Sequence, residues 1–220
     1  MKNRLSFLTP YWFLLPALLV LAITVFLPAI QAFYLSFTSY DLIQPPQWVG
    51  LKNFEKMLGD RLFWKSFFNS IIYLIGVVPI LVFAPLALAI LVNQQLRFIN
   101  WFRAAYYLPV VVSMVVAGIA WKWIYAENGL LNQWGIWVGK TVFGEGFASP
   151  FPIPWLTSPN LALFSVMAVT VWKGLGYYMV IYLAGLQSIP GELYEAAELD
   201  GCGGWRKDWE ITLPLMRPYL

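Results

Sequence analysis

Long apolar segments separated by shorter polar ones dominate the pattern of this chain. No charged residue occurs from Leu5 to Tyr40, from Ser66 to Leu96 or from Ala104 to Trp121, and a fourth apolar stretch follows residue 160. Because an α-helix rises about 1.5 Å per residue, about 20 apolar residues cross about 30 Å of hydrocarbon. The pattern predicts four membrane-spanning helices, near residues 11–37, 67–92, 104–125 and 161–185.

The spans are predicted to be helices rather than strands. The segment YLIGVVPILVFAPLALAILV is apolar on every face, whereas the strands of a membrane barrel alternate between apolar and polar residues. Five prolines lie in or at the ends of the spans, where kinks are expected: Pro16, Pro28, Pro79, Pro85 and Pro109. Lys2 and Arg4 precede an apolar run longer than a signal peptide requires, so the first span is expected to be retained.

The composition agrees with a membrane protein and excludes several functions. Hydrophobic residues make up 60% of the chain and charged residues 11%, against about 25% charged in soluble domains. The chain has no His and one Cys, so neither a metal site, nor His-based catalysis, nor an intrachain disulfide is expected. The basic residues are scattered, and nucleic acid is not an expected partner.

One spaced motif lies between the fourth span and the end of the chain. The segment IPGELYEAAELDGCGGWRKDWEITLPLMRP reads EAA-x3-G-x9-I-x-LP, with seven fixed letters across twenty positions. It resembles the cytoplasmic EAA loop of the permease subunits of binding-protein-dependent ABC importers. The surrounding residues, together with GLKNFEKML and FRAAYYLPVVVSMVVAGIAWKW, resemble the carbohydrate-transporting branch of that family.

The residues of the loop, 186–217, also predict its local structure. Pro190 suits a helix N-terminus, Glu192 complements the positive end of the helix dipole, and Gly201 suits a left-handed helix end. The predicted helix has about ten residues, with an acidic stripe and a small apolar face. The stripe consists of Glu192, Glu195 and Glu198, and the apolar face of Leu193, Ala196 and Ala197. Taken without the motif, such a helix is more typical of a solvated connector.

The resemblance implies a function and a set of partners. It implies the permease subunit of an ATP-driven sugar importer that works by alternating access and is not an enzyme. The expected partners are a second permease in a heterodimer, two ATPase subunits, an extracytoplasmic sugar-binding protein and membrane lipid. ATP and magnesium are expected on the ATPase, with no cofactor on this chain. The residues implied to couple to the ATPase are Glu195, Ala196, Ala197, Asp200, Gly201, Ile211, Leu213 and Pro214.

The resemblance also implies a fold and a location. The fold is the all-α core of a type I ABC importer permease, a single domain over residues 1–220. The family core has six spans, so the resemblance implies that two further helices are missing at the C-terminus. The expected location is the bacterial inner membrane. A cytoplasmic N-terminus and four spans place the EAA loop inside the cell, and the loop charges weakly favour the same orientation.

Lys173 is the ionisable residue that lies well inside a predicted span. A cation at mid-membrane costs about 3 kcal/mol on insertion scales, so Lys173 is expected to face a polar cavity or a partner. With Trp172, Tyr177 and Tyr178 it forms a candidate translocation path, since aromatic rings pack on the C–H faces of sugars. Snorkelling and pairing with another subunit are the alternatives for Lys173. Trp121 and Trp123 are interpreted as residues of an interfacial belt.

Two other functions compete with sugar import. A permease for a non-sugar solute would share the motif. A membrane-embedded glycosyltransferase would share the spans and the aromatic residues, but its chemistry needs clustered acids or metal ligands. The acids cluster in the EAA loop, and Asp41, Asp60, Glu127 and Glu145 are dispersed. The segment GKT at 139–141 lacks the first glycine of a nucleotide-binding P-loop at the required spacing.

Overall fold

The computed structural model describes residues 5–94, 97–144 and 151–219, and of residues 5–8 only the backbone. The described chain is helical apart from one two-stranded ladder. It divides into two compact units, with the boundary between Phe68 and Asn69 inside a long helix. Glu145, like the rest of 145–150, lies outside the described residues.

The first unit begins with a long apolar helical rod. Helix α1 (Leu5–Leu21) continues through a π-helical turn (Ala22–Phe26) into α2 (Leu27–Ser36). Pro28 lies in the first turn of α2, just after the π-helical turn. The part from Thr9 to Ser36 is long and apolar enough to cross a membrane.

A small aromatic cluster follows the rod. Strand β1 (Thr38–Ser39) pairs antiparallel with β2 (Gln47–Trp48), and α3 (Lys52–Leu58) comes next. The Phe37 ring stacks on Trp48 at 5.5 Å and contacts Phe54 at 5.2 Å. Asn53 Nδ2 donates to the carbonyl oxygens of Ser36 and Thr38, both at 2.9 Å, so the chain that leaves α2 keeps hydrogen-bond partners.

The second unit is built on the two longest helices. Helix α4 (Arg61–Val92) and helix α8 (Ala162–Gln187) are both long and apolar enough to span a membrane. Between them lie α5 (Ile99–Val111), α6 (Met114–Ile124) and α7 (Leu130–Phe143). After α8 come α9 (Gly191–Leu199), α10 (Trp205–Lys207), a π-helical turn (Asp208–Thr212), α11 (Leu213–Met216) and a final turn (Arg217–Tyr219).

The third predicted span is broken into two helices in the structure. Residues 104–125 do not form one straight helix, because α5 and α6 meet at an angle of 99° across a break at Val112 and Ser113. Val112 is extended (φ −66°, ψ 129°), and the Ser113 hydroxyl accepts from the Val116 N–H at 3.3 Å to cap α6. The described chain therefore has three candidate spans, or four if the bent pair counts as one.

The core of the second unit lies where the C-terminal halves of α4 and α8 meet α11. Its buried members are Leu86, Ala89, Val92, Met179, Tyr182, Leu183, Leu186 and Met216. Toward the other end of α8, the Tyr73 hydroxyl on α4 lies 2.6 Å from the Thr170 hydroxyl. Gly176 brings α8 against the backbone of α5, because a methyl group there would overlap the Tyr106 carbonyl oxygen.

This close approach predicts the effect of one methyl group. We expect Gly176→Ala to separate α5 from α8 and to destabilise the protein by about 1–3 kcal/mol, the usual cost of overpacking. The measurement is the thermal denaturation midpoint of the purified protein in detergent. Gly118→Ala on α6 is the matched control, because nothing lies within 4 Å of a Cβ there. Equal denaturation midpoints for the two variants would contradict this role of Gly176.

Candidate functional site

Helix α9 carries the EAA residues and has defined ends. Pro190 is its N-cap (φ −59°, ψ 133°), and Glu192 lies in the first turn, next to the unpaired N–H groups. The helix covers nine residues, Gly191–Leu199, and Gly201 follows with φ +78°. The predicted helix of about ten residues, with its proline start and left-handed glycine end, is present in the structure.

The spacing between the two alanines and the glycine follows from how α9 ends. The Gly201 N–H donates to the Glu198 carbonyl at 3.1 Å, and the Cys202 N–H donates to the Ala197 carbonyl at 2.8 Å. These two bonds make a Schellman motif, in which the left-handed residue is best glycine and the flanking residues share an apolar contact. Ala197 and Cys202 are accordingly buried, at 7% and 9% exposure.

The chain after Gly201 folds back onto α9 through polar contacts. Lys207 Nζ lies 2.7 Å from Glu198 Oε1 and 5.6 Å from the centre of the Tyr194 ring. The Tyr194 hydroxyl lies 3.2 Å from the hydroxyl of Thr212, a residue that is only 2% exposed. We name residues 190–216 the EAA unit, because these contacts join α9 to the I-x-LP part of the motif.

The ion pair between Glu198 and Lys207 depends on pH in a defined direction. The hydrogen bond from Lys207, and its positive charge, lower the pKa of the Glu198 carboxyl, and the same pair raises the pKa of Lys207. The carboxyl with the lowered pKa favours the folded form above the ordinary carboxyl pKa, and this contribution disappears as the pH falls through the lowered value. The pair is therefore intact at neutral pH. Because Glu198 is exposed, the contribution is small.

The C-terminal part of the EAA unit packs against the long helices. Met216 is fully buried, and its side chain lies beside Gly185 of α8. Leu213 packs against the same core, whereas Ile211 is half-buried and Pro214 is exposed. The Tyr219 hydroxyl, just beyond the unit, lies 3.1 Å from the Ser188 hydroxyl. These contacts fix the EAA unit to the end of α8.

One face of α9 is open. Glu192, Glu195, Ala196 and Asp200 are exposed, and Leu193 is 43% exposed. Beside this face is a cavity of about 320 Å³, lined by Leu193, Ala196, Ala197, Asp200, Cys202, Arg206, Glu210 and Ile211. The predicted apolar face needs one correction, because Ala197 is covered by its own chain in the Schellman motif. Leu193 and Ala196 remain available for contact.

Lys173 lies beside the break between α5 and α6. Its Nζ donates to the carbonyl oxygens of Pro109 at 3.2 Å and Val112 at 2.6 Å. The side chain also borders a cavity of about 370 Å³, whose other lining residues are Leu81, Val110, Met114, Thr170, Gly174, Tyr177 and Tyr178. Tyr177 and Tyr178 stand in an edge-to-face arrangement at 5.3 Å. Three of the four predicted path residues therefore share one cavity.

The Trp172 side chain does not line the cavity beside Lys173. It packs edge-to-face on Trp121 at 5.4 Å and lines a separate, almost entirely apolar cavity of about 420 Å³. The two tryptophans predicted as an interfacial pair also differ from each other. Trp121 is half-buried between Trp172 and Tyr125, whereas Trp123 is 73% exposed. The structure therefore does not bring Trp172 to the cavity that Lys173 lines.

Three polar residues of structural importance were not singled out from the sequence. Ser113 caps α6 at the break, and Arg103 Nη2 donates to the Val92 carbonyl at the end of α4 at 2.6 Å. Asn132 is fully buried, and its amide group bonds the backbone of Ala126, Glu127 and Ile153 and the Trp155 indole. A Ser four residues after a Pro was the available signal for the break. Nothing in the sequence distinguishes Asn132.

Comparisons with known proteins all identify the same family. Residues 58–220 match the family model described as "Binding-protein-dependent transport system inner membrane component". A probable ABC transporter permease of Pyrococcus horikoshii is 35% identical over 211 residues, which are 94% of this chain and 70% of that protein. The probable starch degradation products transport system permease AmyD of Thermoanaerobacterium thermosulfurigenes is 32% identical, over 94% of this chain and 68% of that protein.

The fold also matches a solved structure. A chain of a bacterial alginate ABC transporter, in complex with a periplasmic protein that holds an alginate pentasaccharide, superposes with a TM-score of 0.75. The match covers 99% of this chain and 70% of that chain at 23% identity, a level that supports the shared fold.

The backbone of Gly201 provides a test of the EAA unit. Gly201→Ala would place a Cβ in a left-handed residue, at a cost of about 1–2 kcal/mol. We expect the amides of Gly201 and Cys202 to exchange hydrogen about 5- to 30-fold faster in this variant. Gly203→Ala is the matched control, because both glycines have open space around a Cβ but Gly203 lacks the positive φ. Equal amide exchange in the two variants would refute the requirement for a left-handed residue.

Proposed function

The chain belongs to the inner membrane components of binding-protein-dependent transport systems, as a multi-pass permease subunit and not an enzyme, and from this premise we propose how it works. It forms half of the translocation path for a sugar, and the EAA unit transmits movement from a separate ATPase. The family description itself names a binding protein as the partner system. We propose the sugar as the solute, the residues of the translocation path and the docking surface for the ATPase.

The proposal rests on one observation: one face of α9 is exposed, while contacts with the rest of the EAA unit hold the helix in place. Leu193 and Ala196 are exposed and line a cavity of about 320 Å³, and Glu195 is exposed on the same helix. Contacts with Lys207 and Thr212 hold α9 in place. A helix held in this way can be displaced as a rigid body when a partner surface contacts its free face. A solvated connector would not need these contacts with the chain that follows it.

The connection to the membrane helices is short. Ser188, Ile189 and Pro190 alone separate the end of α8 from the start of α9. A displacement of the EAA unit therefore moves α8, and with it the cavity that Lys173, Tyr177 and Tyr178 line. Coupling of this kind requires that the ATPase contact α9 differently in the outward-open and inward-open states.

A sugar is the proposed solute. AmyD is described as a permease for starch degradation products, and the structural match belongs to an alginate transporter. The cavity beside Lys173 offers two tyrosine rings for the apolar faces of a sugar and one ammonium for its oxygen atoms. A permease for a non-sugar solute is the alternative, and uptake assays with radiolabelled maltose and with amino acids would separate the two.

The remaining parts of the assembly follow the family. The proposed complex is a heterodimer of two permeases with two ATPase subunits and an extracytoplasmic binding protein in the bacterial inner membrane. ATP and magnesium are bound by the ATPase. The N-terminus and the EAA unit lie in the cytoplasm, and the described hairpin at Thr38–Trp48 lies outside.

Charge reversal at Glu195 tests the docking surface. We expect Glu195→Lys to lower the amount of ATPase that co-purifies at least about tenfold, because a complementary charged contact becomes repulsive. Glu127→Lys is the control, since Glu127 is also exposed but lies between α6 and α7. Normal ATPase co-purification and normal uptake with Glu195→Lys would exclude α9 as the docking helix.

Labelling of single cysteines tests the orientation. In a Cys202→Ala background, we expect Leu199→Cys to react with a membrane-impermeant maleimide in inside-out vesicles only, and Leu42→Cys in right-side-out vesicles only. Both side chains are open to solvent, with exposures of 89% and 82%. The reverse labelling pattern would place the EAA unit outside the cell and would contradict the proposed function.

A further inference from the structure

The break between α5 and α6 leaves backbone groups without their helical partners. In a continuous helix the Pro109 carbonyl would accept from Ser113, and the Val112 carbonyl would accept from Val116. Here the Val116 N–H is taken by the Ser113 hydroxyl, and Val112 is extended. Carbonyls at such a break, at the depth of a membrane, need another donor, because an unpaired group in hydrocarbon is costly.

Lys173 supplies that donor from a different helix. Its Nζ bonds both freed carbonyls, at 3.2 Å to Pro109 and 2.6 Å to Val112. The arrangement satisfies two requirements together, since an ammonium within a span also needs acceptors. A lysine that snorkelled toward the membrane surface would leave both carbonyls unpaired.

We propose that Lys173 is a positioning residue that holds the angle between α5 and α6, and we name its two hydrogen bonds the Lys173 bridge. The role deepens the proposed function and rests on it, because the bend borders the cavity assigned to the solute. Lys173 thereby acts on the shape of the path through the backbone of α5. The bridge also explains why a cation is tolerated in α8.

The Lys173 bridge connects the bend to the EAA unit. Lys173 and Gln187 lie on the same helix, fourteen residues or about 21 Å apart, and α9 begins four residues later. Gly176, less than one turn from Lys173, holds α8 directly against the backbone of α5. A movement of α9 that shifts or rotates α8 must therefore carry α5 along or break the bridge.

Distance measurements on the purified permease test the bridge directly. Spin labels are attached at Phe102→Cys and Ile119→Cys in a Cys202→Ala background, and double electron–electron resonance is recorded in lipid nanodiscs. Both positions are exposed, at 56% and 52%. A straight helix would separate them by about 25 Å, and the 99° bend brings them closer. We expect one narrow distance distribution for the chain with Lys173.

The variants test whether a hydrogen-bond donor at position 173 is needed to keep the angle between α5 and α6. We expect Lys173→Met to broaden the distribution and shift it toward the distance of a straight helix, and Lys173→Arg, which keeps N–H donors, to restore it. Lys122→Met, which removes an exposed lysine from α6, is the matched control and should leave the distribution unchanged. An unchanged distribution with Lys173→Met overturns the proposal.

The amount of each variant protein in the membrane is also measured, because a variant that does not fold gives no distance distribution. If Lys173→Met fails to accumulate while Lys173→Arg accumulates normally, the need for a donor is supported. If both fail, or if Lys173→Arg accumulates with a shifted distribution, the proposal is overturned. Failure of the proposed function gives a different result, namely a distribution that depends on Lys173 in a chain with which no ATPase co-purifies.

Discussion

The second unit depends on satisfying backbone hydrogen bonds where a helix is broken within an apolar segment. Lipid offers no donor or acceptor, so the carbonyls of Pro109 and Val112, which the break releases, need partners from the protein. Ser113 provides one acceptor locally, and Lys173 provides the donors from α8. The same interaction gives acceptors to a cation within a membrane-spanning helix, so the break and the lysine stabilise each other.

The features that composition dictates could be predicted from the sequence. Apolar length locates the helices that include Thr9–Ser36, α4 and α8, and the proline and glycine around α9 define its ends. The break could not be predicted from Pro109 alone, because α4 contains Pro79 and Pro85 and continues through both. What differs is a nearby capping serine and a distant lysine, and the distant contact exists only once α8 has packed against α5.

The candidate site shows the same division between local and long-range information. Gly201 with a positive φ follows from the residue type and its spacing, and so does the charge of the first turn. The burial of Ala197 follows from the backbone path after Gly201, which no helical periodicity describes. Trp172 and Lys173 are neighbours in sequence but face different cavities, because successive helical residues are about 100° apart.

The segment between α6 and α8 is held by hydrogen bonds of the Asn132 side-chain amide and not by a disulfide. Asn132 joins two stretches of backbone and an indole, and the chain has a single cysteine, so no intrachain disulfide can serve in its place. An amide neither oxidises nor needs a partner thiol. The segment between α6 and α8 can therefore fold without oxidative folding enzymes, and its hydrogen bonds persist under aerobic and anaerobic growth alike.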